Sequence, residues 1–178
     1  MIMSDADMDT YPNLWRWVEH ELPALPKRKP KVWKAFTRHA GRETRYDHTF
    51  LKPGFPPTLA VDDYEFLYCK EDGEPELQKD GYYIQRFHIE RLAVTIPNFD
   101  ADLIVLARDV AEASGFGADR QHVVEATVLH ELVHWCRMKA GEDVNDEGPP
   151  YAFERDAYGA VAERTWTPCF SEEYFKVK

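Results

Sequence analysis

Val124 to Met138 reads VEATVLHELVHWCRM, and within it His130, Glu131, Leu132, Val133 and His134 spell His-Glu-x-x-His. On a helix, residues four apart share a face, with Cβ atoms roughly 5–6 Å apart. Two imidazoles so placed can reach one metal ion. Glu131 falls beside that face, where its carboxylate can act on a water instead of on the metal. This is the spacing of a zinc site that carries its own general base. The flanks agree. Val123, Val124, Ala126, Val128, Leu129, Leu132, Val133, Trp135 and Cys136 make a mostly apolar helix with a polar insert, as a buried metal-bearing helix requires. Lys139 and Gly141 give a basic last turn and a glycine stop, so a helix is predicted over Arg120–Ala140 with Asp119 as its cap. The bland alternative is a pair of half-buried histidines satisfied by hydrogen bonds.

A catalytic zinc site has three protein ligands and one open position. Downstream, Tyr151-Ala152-Phe153-Glu154-Arg155-Asp156-Ala157-Tyr158 begins another helix, predicted over Tyr151–Glu163, and Glu154 lies 20 positions after His134. The ten-residue loop between the helices, GEDVNDEGPP, is long enough to fold the second helix across the first. A third histidine in the metzincin manner would need Gly at 137 and His at 140, where this chain has Arg137 and Ala140. A carboxylate is therefore expected, with Glu154 as the choice and Asp156 in reserve.

The chain has 178 residues, 44% of them hydrophobic, which suits one domain with a sizeable core. Its net charge of −10 argues against a nucleic-acid partner. The three cysteines, Cys69, Cys136 and Cys169, show no CxxC spacing and read as reduced thiols. The opening MIMSDADMDTYPNLW lacks the apolar stretch of a signal peptide, and no window approaches the ~18 apolar residues of a membrane span. The expectation is a cytoplasmic location in the producing cell, with any export left to a specialised secretion system.

Along the chain, Asn13–Leu22 reads as a short helix ended by Pro23 and Pro26, and Val32–Ala40 as a second helix closed by Gly41. The basic run Lys27–Lys31 reads as a solvated loop, and Lys52–Thr58 as a connector. Strands are predicted at Tyr64–Cys69, Tyr82–Ile89 and Leu92–Ile96, then a helix at Ala101–Ala113 with Asp100 as N-cap and Gly115 as stop. Residues 1–60 are expected to form a helical and irregular extension, and 61–178 the domain that carries the site.

With these residues in view, the chain resembles the zincin metallopeptidases, in the branch whose third ligand is a glutamate (gluzincins). His130, Glu131 and His134 match, as does Glu154-Arg155-Asp156-Ala157 as Glu-x-x-Ala, at an offset similar to that of thermolysin-like enzymes. The match covers roughly residues 90–165. It implies an α+β fold with a small sheet packed on the active helix, zinc on His130, His134 and Glu154, and Glu131 as general base. It also implies an extended peptide bound along an edge strand, for which Leu92–Ile96 is the candidate. Tyr158 stands where the thermolysin pattern has an aspartate, which leaves Asp156 to orient a ligand. Such enzymes use a Tyr or His to steady the oxyanion; Tyr151, Tyr158, Tyr83 and His88 are candidates, with Tyr158 preferred because it shares a face with Glu154.

Among zincins, the chain is similar to the small bacterial metallopeptidase domains of polymorphic toxins and type VI effectors, and also to intracellular repressor-cleaving peptidases of the ImmA/IrrE type. The toxin resemblance implies a protein or peptide substrate and a cognate immunity protein. A reading from another class is a zinc-stabilised binding module without activity, whose site would be closed by a fourth ligand drawn from Asp143, Asp146, Glu147 or Asp156.

Overall fold

A computed structural model describes residues 1–41, 50–62, 93–95, 102–115, 117–143 and 146–161. Ser4 opens α1 (Asp5–Thr10), its hydroxyl accepting from the Asp7 N–H at 3.1 Å, an N-cap that satisfies one orphan donor. Next, α2 (Pro12–Arg16) runs through a π turn (Trp17–Glu21) into α3 (Leu22–Arg28). Pro23 and Pro26, expected to end this helix, lie within it. The Leu22 N–H reaches back to Trp17 O, five residues away. That wider turn accommodates a ring with no N–H to donate. α4 (Pro30–His39) follows and stops before Gly41, whose φ is +98°.

Three strands form a mixed sheet in the order β1-β3-β2: β1 (Thr58–Asp62), β2 (Ala93–Thr95) and β3 (Leu103–Ala107). β1 runs parallel to β3, with Leu59 beside Ile104. β2 runs antiparallel to β3, with Val94 beside Val105. Ala101–Ala113, expected as one helix, is instead strand β3 followed by α5 (Arg108–Ala113). Ile104, Val105 and Leu106 are buried. Such a short apolar run satisfies a central strand as well as a buried helix, and only neighbours decide. β1 itself was not foreseen. The strands predicted at Tyr64–Cys69 and Tyr82–Ile89 lie outside the described residues.

The long helix α6 spans Gly117–Lys139, so Asp119 sits inside it and is not its cap. α7 begins at Gly148, earlier than expected, because Pro149 and Pro150 fall in the first turn, where no N–H is needed. It ends at Tyr158, before the predicted Glu163, because Gly159 takes φ +86° and its N–H returns to Arg155 O at 2.9 Å, a glycine C-cap.

The described chain is thus α+β. One hydrophobic core joins Leu14, Trp17, Leu25 and Phe36 to Leu59, Ile104, Leu132, Trp135 and Phe153. Residues from both segments expected at 1–60 and 61–178 therefore contribute to it. Phe36 on α4 meets Phe153 on α7 edge to face, with ring centroids 6.0 Å apart. Phe50 lies between Phe36 and Trp135 at 5.4 and 6.3 Å. Phe36→Ala is expected to cost about 3–5 kcal/mol. α6 and α7 should unfold in the same transition as the N-terminal helices, which denaturation followed jointly by tryptophan fluorescence and circular dichroism will check.

Candidate metal centre

From Val123 to Cys136 every residue except His130 is buried, so α6 is a core helix packed on all sides. Its buried polar residues include Glu125, Glu131 and His134. Burying such groups is costly unless each finds a partner, and for Glu125 and His134 the partner comes from α7. Along α7 and its N-cap, Glu147, Tyr151, Glu154 and Tyr158 are spaced four, three and four apart. That spacing keeps them on one helical stripe, and contacts given for each of them run to α6.

At the near end of the stripe, the Nε2 atoms of His130 and His134 each lie 3.2 Å from the same Glu147 oxygen. Ligand atoms of these three residues all lie within 4.8 Å of one another. The two imidazoles stand with centroids 5.2 Å apart. Glu154, 3% exposed, approaches His130 from the other side, its Oε1 2.5 Å from Nδ1. The edge contact of Tyr151 with the His130 ring, centroids 5.3 Å apart, sets this half-exposed phenol at the rim. Glu131 is buried beside His130 on α6.

The electrostatics are those of a cation site. Burial pushes the His130 imidazole down, but hydrogen bonds to Glu147 and Glu154 and the nearby Glu131 charge outweigh it and hold its pKa up at about 10. The same contacts from His130 and His134 hold the Glu147 carboxyl well below the usual range against the effect of burial. Anionic charge gathered around two inward-facing nitrogens favours any positive occupant, proton or metal. Two imidazole nitrogens and one carboxylate oxygen, all within 4.8 Å of one another, fit a divalent metal of the kind catalytic zinc sites hold.

The sequence candidates among the described residues each have a definite place. His130, Glu131, His134 and Glu154 are brought together. Glu154 sits at His130 Nδ1, whereas the two Nε2 atoms converge on Glu147. Asp156, the reserve ligand, points away to α4, where Arg38 and His39 hold it at 2.7 and 2.9 Å. Tyr158 is partly buried, and its hydroxyl donates to Glu125 Oε1 at 3.2 Å. Lys29 Nζ completes that cluster, 2.9 and 3.0 Å from the two Glu125 oxygens. Tyr83 and His88 lie outside the described residues. Cys136 is buried. Glu147 entered the sequence reading only as a candidate fourth ligand. Its place in the four-three-four stripe was visible, but the helix was begun three residues late, which left Glu147 in a loop.

A family model described as metallopeptidase toxin 3 matches residues 7–159, from α1 through the glycine that closes α7. No curated protein matches, and no solved structure does. The match runs through the N-terminal helices, the His-Glu-x-x-His helix and the helix that delivers Glu147 and Glu154, and the chain belongs to the metallopeptidase toxin 3 family.

Proposed function

We propose that this chain is a zinc-dependent peptidase of zincin-like arrangement that acts as a toxin or effector domain on a protein substrate. One observation carries the reading: His130 Nε2 and His134 Nε2 share a single Glu147 oxygen at 3.2 Å, in a chain of a metallopeptidase toxin family. Zinc is the metal of choice because two imidazoles and a carboxylate in an open site are the ligand set of catalytic zinc. Glu147 is the proposed third ligand. Glu154, the residue first expected there, holds the far nitrogen of His130, which fixes the ring and sharpens its basicity as an orienting carboxylate does.

When bound, the metal polarises the scissile carbonyl and lowers the pKa of water at the site. The protein's own residues do the rest. Glu131 takes the proton of the attacking water and hands it to the leaving amine. Tyr151, edge-on to His130 at the exposed rim, donates to the carbonyl oxygen as negative charge develops. Tyr158 is engaged by Glu125 and acts as a structural donor; burial and that carboxylate push its phenol well up in pKa and keep it protonated. β2 is the outer, antiparallel strand of the described sheet and lies against α6, so an extended substrate adds along it.

The family match favours the toxin reading over a repressor-cleaving peptidase. Two of the candidate fourth ligands are engaged elsewhere, which disfavours a site closed by either of them. Asp156 is paired with Arg38 and His39, and Asp146 accepts from the Gly148 N–H at 3.0 Å. No described helix is long and apolar enough to cross a membrane. Delivery by a specialised secretion system and neutralisation by an immunity protein belong to the same proposal.

Glu131→Gln should keep about one zinc per chain and lose hydrolysis of an unstructured protein by about 10²–10⁴-fold; a variant with both zinc and full turnover would sink the mechanism. Glu147→Ala should abolish stoichiometric zinc binding at micromolar metal. Glu154→Gln should weaken it by only about 10–100-fold. The reverse order, read by competition with a chromophoric chelator, would restore Glu154 as the third ligand.

A further inference from the structure

Arg137 lies one turn beyond His134 on α6, and its side chain is largely buried at 18% exposure. Its Nη2 is 2.5 Å from Glu142 Oε2 and 3.9 Å from Asp146 Oδ2. Its own carbonyl accepts from the Glu142 N–H at 2.9 Å. One guanidinium therefore reaches both ends of the segment that joins α6 to α7. Asp146 has a second hold, since its Oδ1 accepts from the Gly148 N–H at 3.0 Å. Glu147 is the residue between those two anchored positions.

Space on the other side is filled as well. A side chain at Gly41 would bring its Cβ 3.1 Å from Glu142 Oε1 and 3.9 Å from Arg137 Cγ. The end of α4 thus backs the same cluster, and Glu142 has little freedom to swing away from Arg137. The site needs such a hold. His130 and His134 are fixed by their helix, but Glu147 is the N-cap that precedes another helix, in a connection rich in acidic residues. Carboxylates crowded near the cage repel one another, and a cation off the ligand face relieves this without competing for the Nε2 atoms.

We propose that Arg137 is a positioning residue for the metal centre, which sets Glu147 against the two histidines by clamping Glu142 and Asp146. The inference rests on Glu147 being the third ligand. Arg137 touches no ligand itself. It acts on the fraction of molecules in which Glu147 is in place, and apparent affinity scales with that fraction. Glu142 and Asp146 are substantially exposed, so the clamp adds little to global stability. That separates it from a merely structural role.

The test uses the full chain stripped of metal. Zinc affinity is measured by competition with a chromophoric chelator, and melting of the metal-free protein alongside, for wild type, Arg137→Gln, Arg137→Lys, Asp146→Asn, Glu147→Ala and the Arg137→Gln/Glu147→Ala double variant. Arg137→Gln should weaken zinc binding about tenfold, the low end for outer-sphere partners, with metal-free melting unchanged. Asp146→Asn keeps its acceptor for Gly148 and should weaken binding in the same direction. Arg137→Lys should recover part of the loss. The double variant should bind no worse than Glu147→Ala. Wild-type affinity in Arg137→Gln beside a weakened Glu147→Ala overturns the clamp alone, as does an additive double variant or a lowered melting point with affinity intact. Wild-type affinity in Glu147→Ala overturns the third-ligand reading, and the clamp with it.

Discussion

Two imidazoles four residues apart on a helix do not make a metal site until a third donor is brought to the nitrogens they share. In the proposed site that donor, Glu147, caps a helix that must lie along the first and stay there. The packing of α7 on α6 is the constraint on which the structure turns. Its near end carries Glu147 to His130 Nε2 and His134 Nε2, its middle carries Glu154 to His130 Nδ1, and its far end carries Tyr158 to Glu125. A rotation of α7 by one residue, about 100°, would turn all of these contacts away together. The four-three-four stripe therefore specifies which face of α7 is turned towards α6.

The N-terminal helices have their purpose in holding that arrangement. Phe36 packs on Phe153, on the face of α7 away from solvent. Arg38 and His39 pair with Asp156 near its outer edge. Lys29, at the junction of α3 and α4, reaches into the molecule to Glu125, which is nearly inaccessible. A carboxylate buried in the middle of α6 is tolerable only with a counter-charge and its hydrogen bonds filled. Lys29 and Tyr158 together meet both needs. That the family match starts at residue 7 agrees with a site that depends on these helices.

Much of the centre was legible in the sequence, because its residues carry a short-range pattern. His130, Glu131 and His134 need only helical spacing to be recognised, and α6 announces itself through its apolar run and its glycine stop. Gly41 closed α4 for the same local reason. What was not legible depended on neighbours. Leu103–Ala107 became a strand because β1 and β2 flank it, and nothing inside LIVLA says so. Pro23 continued a helix because the preceding turn widened. Glu147 was legible only as a candidate fourth ligand in a loop, because Pro149 and Pro150 look like a loop, though both are permitted in a first turn. Tyr158 was expected on the face of Glu154 by spacing, but its hydrogen bond to Glu125, itself paired with Lys29, joins residues 33 and 129 positions away along the chain.

A further consequence follows from how the carboxylates are graded by depth. Glu154 is sealed in, Glu147 is partly open, and Tyr151 stands at the rim. An orienting carboxylate works best where water cannot compete for the imidazole N–H, so the deepest position suits Glu154. A ligand carboxylate needs access for the ion to arrive, which suits Glu147 at the helix mouth. A donor for substrate must meet the substrate, and along the described stripe Tyr151 is the exposed phenol, as its proposed role requires. One stripe of α7 and its N-cap thus grades its side chains by solvent access, in the order that their proposed roles require.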